Sequence, residues 1–437
     1  MIGKPRETWS GSPGFVLAAI GSAVGLGNVW RFPYVTGEYG GGAFFLLYIF
    51  CVCIVGVPVM LAEFLIGRKT QRDAVGAFQT MRPGSPWVLT GWLCVATGFV
   101  ILSYYAVVGG WVLHYLYLAV TNGFSGAAND DIAALFSALA ANPALQVFWH
   151  GVFMFLTIAI VAGGIKRGIE LGNKVMMPAL FLLLCGLVIY ALQTPGAAAG
   201  LGFLFYPRWE QLGPQAVLEA LGQALFSLSL GMAAMVTYGS YLSHNTHLPR
   251  AAIWVAAGDT LVAVLAGLVV FPIVFTFGLK VSAGPSLVFQ TLPVAFSQLP
   301  GGSIMAVAFF ILLSFAALTS AMSLLEVVTA YIVDELKWTR QRACWVFGGI
   351  IFLLGIPSAV KQEFLGFMDG VATNYLLPGG ALLIALFTGW ALSSKEQQEA
   401  FDGRGKADAA FRGWSVVIRF VSPVALMLIF LHQLNIF

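Results

Sequence analysis

The stretch Gly21-Ser22-Ala23-Val24-Gly25-Leu26-Gly27-Asn28-Val29-Trp30-Arg31-Phe32-Pro33 sets glycines, an asparagine and an arginine inside a long apolar run. Glycine costs about 1 kcal/mol per residue in a helix interior. A backbone group freed in hydrocarbon costs several kcal/mol more unless a cavity or an ion satisfies it. The stretch therefore predicts a broken membrane span whose carbonyls and amides bind something at mid-membrane. A second interruption, Gln223-Ala224-Leu225-Phe226-Ser227-Leu228-Ser229-Leu230-Gly231-Met232, again mixes hydroxyls and glycine at membrane depth.

Around these two stretches the composition decides the class. Of 437 residues 59% are hydrophobic and only 9% charged, which excludes an ordinary soluble domain. Apolar runs able to cross a core of ~30 Å fall at 12–36, 43–67, 88–120, 146–164, 174–193, 214–242, 252–279, 303–334, 343–360, 364–392 and 413–435. The fold class is an all-α polytopic membrane protein with eleven spans. The first run is glycine-rich and lacks a small-residue cleavage pattern, so it is expected to be retained. Cys51, Cys53, Cys94, Cys185 and Cys344 all lie inside predicted spans, which implies no disulfide framework.

Lys and Arg set the orientation. Lys4, Arg6, Arg68, Lys69, Arg72, Arg82, Lys166, Arg167, Lys174, Arg250, Lys337, Arg340, Arg342, Lys395, Arg404, Lys406 and Arg412 fall on one side, against Arg208, Lys280 and Lys361 on the other. The positive-inside rule then predicts a cytoplasmic N-terminus, with Phe437 outside. The net charge of +3 reflects this topology and implies no nucleic-acid partner. His114, His150, His244, His247 and His432 are scattered, so no catalytic constellation emerges and the chain is not read as an enzyme. The outer loop 121–145 is expected to carry a short surface helix, and 393–412 to be a solvated connector.

The two interruptions sit in the first and sixth spans. That spacing predicts a five-plus-five inverted repeat within a single membrane domain 1–437: residues 10–193, residues 213–392, and an additional eleventh helix at 413–435.

The glycine-rich first span, Gly40-Gly41-Gly42-Ala43-Phe44, Pro58, Glu63, Ser103-Tyr104-Tyr105, Phe226-Ser227-Leu228-Ser229 and Ala316-Ala317-Leu318-Thr319-Ser320 follow one another in order. From about Arg6 to about Asp369 the chain resembles the neurotransmitter:sodium symporter family. Eleven helices make it similar to the shorter bacterial LeuT-like members, which transport hydrophobic amino acids. The resemblance implies a LeuT-like fold, alternating access and a bacterial inner membrane.

It also implies two sodium ions. One would sit on the carbonyls of Gly21, Val24 and Ala316 with the hydroxyls of Thr319 and Ser320. The other would use Ala23, Asn28, Ser227, Asp259 and a carboxylate oxygen of the substrate. Taken alone, Thr319 and Ser320 read as packing hydroxyls, whereas Asn28 and Asp259 at membrane depth are expensive and point to function. Chloride-dependent relatives carry Asn and Ser where this chain has Asp259 and Ala263, in a cage with Tyr48, Gln223 and Ser227. A fixed carboxylate supplies the charge a chloride would bring, so chloride-independent transport is expected. A protonatable Asp259 would also allow a proton-coupled return step.

By the same resemblance an amine-pairing aspartate is replaced by Gly25, so the substrate must bring its own carboxylate. An amino acid fits, its carboxylate near the amides of Leu26 and Gly27 and the Tyr105 hydroxyl, its ammonium near carbonyls of Ala23, Phe226 and Ser229. Ile101, Tyr105, Phe226, Ser229, Met232, Ser320 and Leu324 would take the side chain. Arg31 and Asp369 are implied as an outer gate, and Arg6 and Asp334 as an inner one, braced by Trp9, Ser240 and Tyr241. Solvation at the interface is the alternative reading of Arg6 and Asp334. Glu63 is implied as a support for the unwound backbone. Gly168 and Pro178 would form an unwinding motif in the fifth helix, although Pro178 alone is also consistent with a kink. Two other functions keep the same pocket: an amino-acid sensor that does not transport, and a glycine or alanine symporter.

Overall fold

A computed structural model of the chain describes residues 7–124, 129–278, 286–401 and 409–433. Arg6, with Lys4, Lys280, Arg404, Lys406 and Phe437, lies outside the described residues. Nine of the described helices are long and apolar enough to cross a membrane. They are α2 (Gly42–Thr70), α3 (Val88–Val120), α4 (Pro143–Ala162), α5 (Ile165–Ala191), α7 (Leu248–Thr276), α8 (Gly302–Glu335), α9 (Arg340–Val360), α10 (Gln362–Ala391) and α11 (Ala409–His432).

The two remaining spans are the ones with interrupted sequence. α1 runs as Ser12–Ala23 and Gly27–Glu38, with a 49° bend between the halves. α6 runs as Pro214–Ser227 and Ala234–Gly239, and the six residues between them are not helical. Pro13 and Pro214 occupy first-turn positions where a missing N–H costs nothing. Short helices at Asn129–Ala140 and Ala197–Phe205 lie between α3 and α4 and between α5 and α6.

One boundary departs from the sequence reading. α5 begins at Ile165, not near residue 174, because the exposed Lys166 and Arg167 ride on its first turns with their charges solvated. The unwinding expected from Gly168 and Pro178 is absent here: α5 is helical throughout Ile165–Ala191, with a π-helical first turn. Gly168 instead lets α5 approach α4, since a Cβ there would collide with the Ile160 carbonyl oxygen.

α8 packs against α1, α3, α4, α5 and α9 and forms the centre of the bundle. Between helices in lipid there is little hydrophobic drive, so close backbone approach and buried hydrogen bonds hold the bundle together. Trp111 on α3, for example, donates its indole N–H to Gln146 on α4 at 2.9 Å.

Local conformation explains why α6 breaks where it does. Ser229, Gly231 and Ala233 take left-handed backbone, with φ of 54°, 78° and 62°. Glu63 on α2 accepts the freed Gly231 N–H at 2.8 Å. Gly231 lies so close to α10 that a Cβ would overlap the Leu377 carbonyl oxygen. Gly231→Ala combines left-handed strain of about 1–2 kcal/mol with that clash. It is expected to lower the melting temperature in detergent, and a wild-type melting curve would contradict this packing.

Candidate ion and substrate site

A fully buried carboxylate, that of Asp259, stands near the middle of α7. Tyr48 of α2 donates to its Oδ2 at 2.7 Å, and Ser227, at the end of the first half of α6, donates to Oδ1 at 2.8 Å. Asn28 in the second half of α1 donates its amide to Oδ1 at 2.7 Å and to the Asp259 carbonyl at 3.1 Å. Its own Oδ1 accepts the Gly25 N–H at 3.1 Å, which satisfies an amide freed by the break. Asn28, Tyr48 and Asp259 are fully buried and Ser227 nearly so. Three elements, α1, α2 and α6, thus converge on one carboxylate of a fourth. Gln223 lies further out, donating to the Gly27 carbonyl at 2.9 Å, and Ala263 is buried on α7.

A second convergence joins α1 to α8. The Thr319 hydroxyl stands 3.1 Å from the Ala316 carbonyl oxygen and 3.4 Å from that of Val24. Ser320 Oγ lies 3.2 Å from the Ser22 carbonyl and 3.5 Å from that of Val24. Carbonyl and hydroxyl oxygens are the neutral, hard donors that suit an alkali cation. Gly21 faces α5, where a Cβ would collide with Asn173.

Between the two convergences lies a cavity. Ala23, Gly25, Leu26, Gly27, Ile101, Tyr105, Phe226, Ser227, Ser229, Met232, Ser320 and Leu324 all line it, joined by Ser22. The Leu26 N–H donates to the Tyr105 hydroxyl at 3.4 Å, and Ser229 donates to the Ser22 carbonyl at 2.8 Å. Gly25 is required here, because a Cβ would run into the Ser320 hydroxyl. Free space is about 20 Å³, room for about one water, so a larger occupant needs Phe226 or Met232 to move.

Above Tyr105 and Phe226 a wider vestibule of about 320 Å³ has Arg31 and Asp369 on its walls. These two do not form the expected ion pair. Arg31 bonds Glu219 at 3.1 Å and Gln223 at 2.9 Å, both on α6 beside it, and its guanidinium lies 5.9 Å from the Phe226 ring centre. Asp369 stands on α10 across the vestibule and accepts from Thr373 at 3.4 Å.

The opposite end is closed. Trp9 is buried, donates its indole N–H to the Tyr238 carbonyl at 3.0 Å, and packs edge-on against Tyr238 and Tyr241. Tyr241 donates to Glu326 at 2.6 Å, and Glu326 is paired with Arg340, which also donates to the Val161 carbonyl. Ser240 turns back to the Thr237 carbonyl at 2.6 Å. Asp334 accepts the Asp73 N–H at 3.0 Å.

Glu219 and Glu326 did not stand out in the sequence, where Arg340 counts only as one of the charges that set the orientation. Glu326 carried a usable signal, a carboxylate inside a long apolar run with Arg340 beyond its end. Nothing in their spacing links Glu219 to Arg31, 188 positions away.

Two broken helices around buried oxygen donors, open to one side and sealed on the other, define a membrane transporter. Residues 6–130 and 143–437 match the Sodium:neurotransmitter symporter family, and the chain belongs to it. An uncharacterized sodium-dependent transporter, YhdH of Bacillus subtilis, is 41% identical over 99% of this chain and 98% of its own length. Another, from Haemophilus influenzae, is 35% identical over 99% of both chains. The crystal structure of MhsT in complex with L-phenylalanine matches with a TM-score of 0.92 and 46% identity, covering 98% of this chain and 99% of that one. The fold is LeuT-like, and the chain is a multi-pass, sodium-dependent transporter with no enzymatic role.

At the closed end Asp73 gives a pH test. It caps the helix Ala74–Met81 by accepting from Val75 and Gly76, and burial together with neighbouring Asp334 pushes its carboxyl up to about 7. A raised carboxyl favours the protonated fold, so its contribution is full below the ordinary value of 3.8 and is lost as pH rises through about 7. Asp73→Asn keeps a capping side chain and is expected to flatten the fall of melting temperature across that window. An unchanged slope would contradict the assignment.

Proposed function

We propose that this chain is a sodium-coupled symporter that imports hydrophobic L-amino acids, aliphatic and aromatic, without chloride. The observation that carries this reading is the Asp259 carboxylate held by Tyr48, Ser227 and Asn28. A fixed negative charge beside a sodium ion offsets it in a low-dielectric interior, which is the service a bound chloride would otherwise supply. Ala263, close to Asp259 on α7, offers no hydroxyl to a halide.

One sodium would take Ala23, Asn28, Ser227, Asp259 and a substrate carboxylate oxygen. The other would take the carbonyls of Gly21, Val24 and Ala316 and the hydroxyls of Thr319 and Ser320. The shared carboxylate oxygen links ion to substrate, because each completes the other's coordination. The amino-acid carboxylate would meet the amides of Leu26 and Gly27 and the Tyr105 hydroxyl. Its side chain would enter the mostly apolar wall of Ile101, Phe226, Met232 and Leu324. The similarity to MhsT, whose solved complex holds L-phenylalanine, supports an amino-acid substrate.

In alternating access, the vestibule would admit substrate and Arg31 would then close toward Asp369 over Phe226. Release of the Trp9 seal, with Arg6 and Asp334 parting, would open the other side, Gly168 and Pro178 providing the give in α5. Ligands drive this only through their differential affinity for the two states. The two broken helices each begin a five-helix repeat, and the chain sits in a bacterial inner membrane with its N-terminus in the cytoplasm.

With about 20 Å³ free, any amino acid requires the pocket to open, glycine and alanine the least, and a symporter for these two is the second reading. Uptake of labelled Phe, Leu, Trp, Tyr, Ala and Gly into liposomes under a sodium gradient decides between them. Saturable, uphill accumulation of Phe and Leu in gluconate medium is expected; accumulation of Gly and Ala alone would select the second reading, and binding without accumulation a sensor. Asp259→Asn combined with Ala263→Ser is expected to make uptake fall at least about tenfold on chloride removal, the scale of losing one buried countercharge. Continued chloride-independent uptake by that variant would contradict the role given to Asp259.

A further inference from the structure

A further cavity, of about 390 Å³, opens at the sealed end of the bundle, between the starts of α1 and α7. Ser12, Pro13 and Val16 from the start of α1 form one wall, and His247, Arg250 and Trp254 from the start of α7 form the other. Among the described residues no carboxylate lines it.

Its polar and apolar parts are layered. His247 caps the α7 N-terminus by accepting the Arg250 N–H on Nδ1 at 3.2 Å, so the Arg250 side chain and the positive end of a long helix share the rim. A rise of 1.5 Å per residue sets Trp254 about 9 Å deeper than Leu248, the depth of an interfacial aromatic belt. Trp254 is 55% exposed and its neighbour Ile253 61%, apolar surface suited to hydrocarbon chains. A cationic rim over an indole and aliphatic wall matches an anionic phosphate headgroup with acyl chains below it.

We propose that this cavity binds one anionic phospholipid, its phosphate at Arg250 and His247 and its chains along Trp254 and Val16. The occupant bears on the half of α1 that Trp9 anchors to α6. It therefore holds that half-helix in the sealed position and biases the transporter toward its outward-facing state.

The test is native mass spectrometry of the full chain in detergent with equal amounts of phosphatidylglycerol and phosphatidylcholine. Wild type is expected to retain phosphatidylglycerol preferentially. Arg250→Gln should retain about fivefold less, the loss expected for one basic residue at an anionic membrane surface, with phosphatidylcholine unchanged. Trp254→Ala should weaken both lipids, whereas Lys361→Gln, at the opposite end of the bundle, should change neither. Melting curves for each variant establish that it is folded. Equal retention by wild type and Arg250→Gln, or an equal drop in Lys361→Gln, overturns the proposal. Inorganic phosphate is expected not to displace the lipid; displacement would mark a free-anion site and overturn the lipid assignment.

Discussion

Everything in this molecule depends on satisfying the backbone groups that two broken helices leave open inside the membrane. Unpaired amides and carbonyls are not tolerated in hydrocarbon, so each break needs partners from other elements. Asn28 takes the Gly25 amide, Gln223 the Gly27 carbonyl, Glu63 the Gly231 amide and Ser229 the Ser22 carbonyl. These contacts tie α1 and α6 to each other, and Asn28 and Glu63 anchor them to α7 and α2. Ser22, Gly25, Gly27 and Ser229, which take part in these bonds, also line the cavity. Asn28, Gln223 and Glu63 stand behind that lining and hold its backbone in place.

The same economy places Asp259. A lone carboxylate at this depth would be prohibitively costly, yet three donors from three elements meet it, and Ser227 and Asn28 belong to the broken helices themselves. A cation brought beside it gains a fixed countercharge. Because the donors sit on α1, α2 and α6, a shift in either broken helix changes what the carboxylate sees. Ion occupancy and helix position are thereby linked.

Much of this was legible in the sequence, and the reasons are physical. Gly25, Gly27 and Gly231 announce the breaks because they cluster with Asn28, Ser227 and Ser229, polar groups that cost free energy at membrane depth. Asp259 and Asn28 announce themselves by the cost of burying them. The pairing of Tyr48 with Asp259, 211 positions apart, has no local signal and came only with the family resemblance. Arg31 is paired with Glu219 rather than Asp369 because the vestibule separates α1 from α10 in this state. Such pairings belong to one conformation, and a sequence encodes all of them at once. α5, helical throughout Ile165–Ala191, is likewise seen in one state.

The most direct measurement is equilibrium binding of labelled phenylalanine to the purified chain in chloride-free buffer as potassium is replaced by sodium. If ion and substrate complete each other's coordination, binding is negligible in potassium and tightens as sodium rises, and phenylalanine tightens sodium binding by the same factor. Phenylalanine binding of equal strength with and without sodium would contradict a shared site at the broken helices.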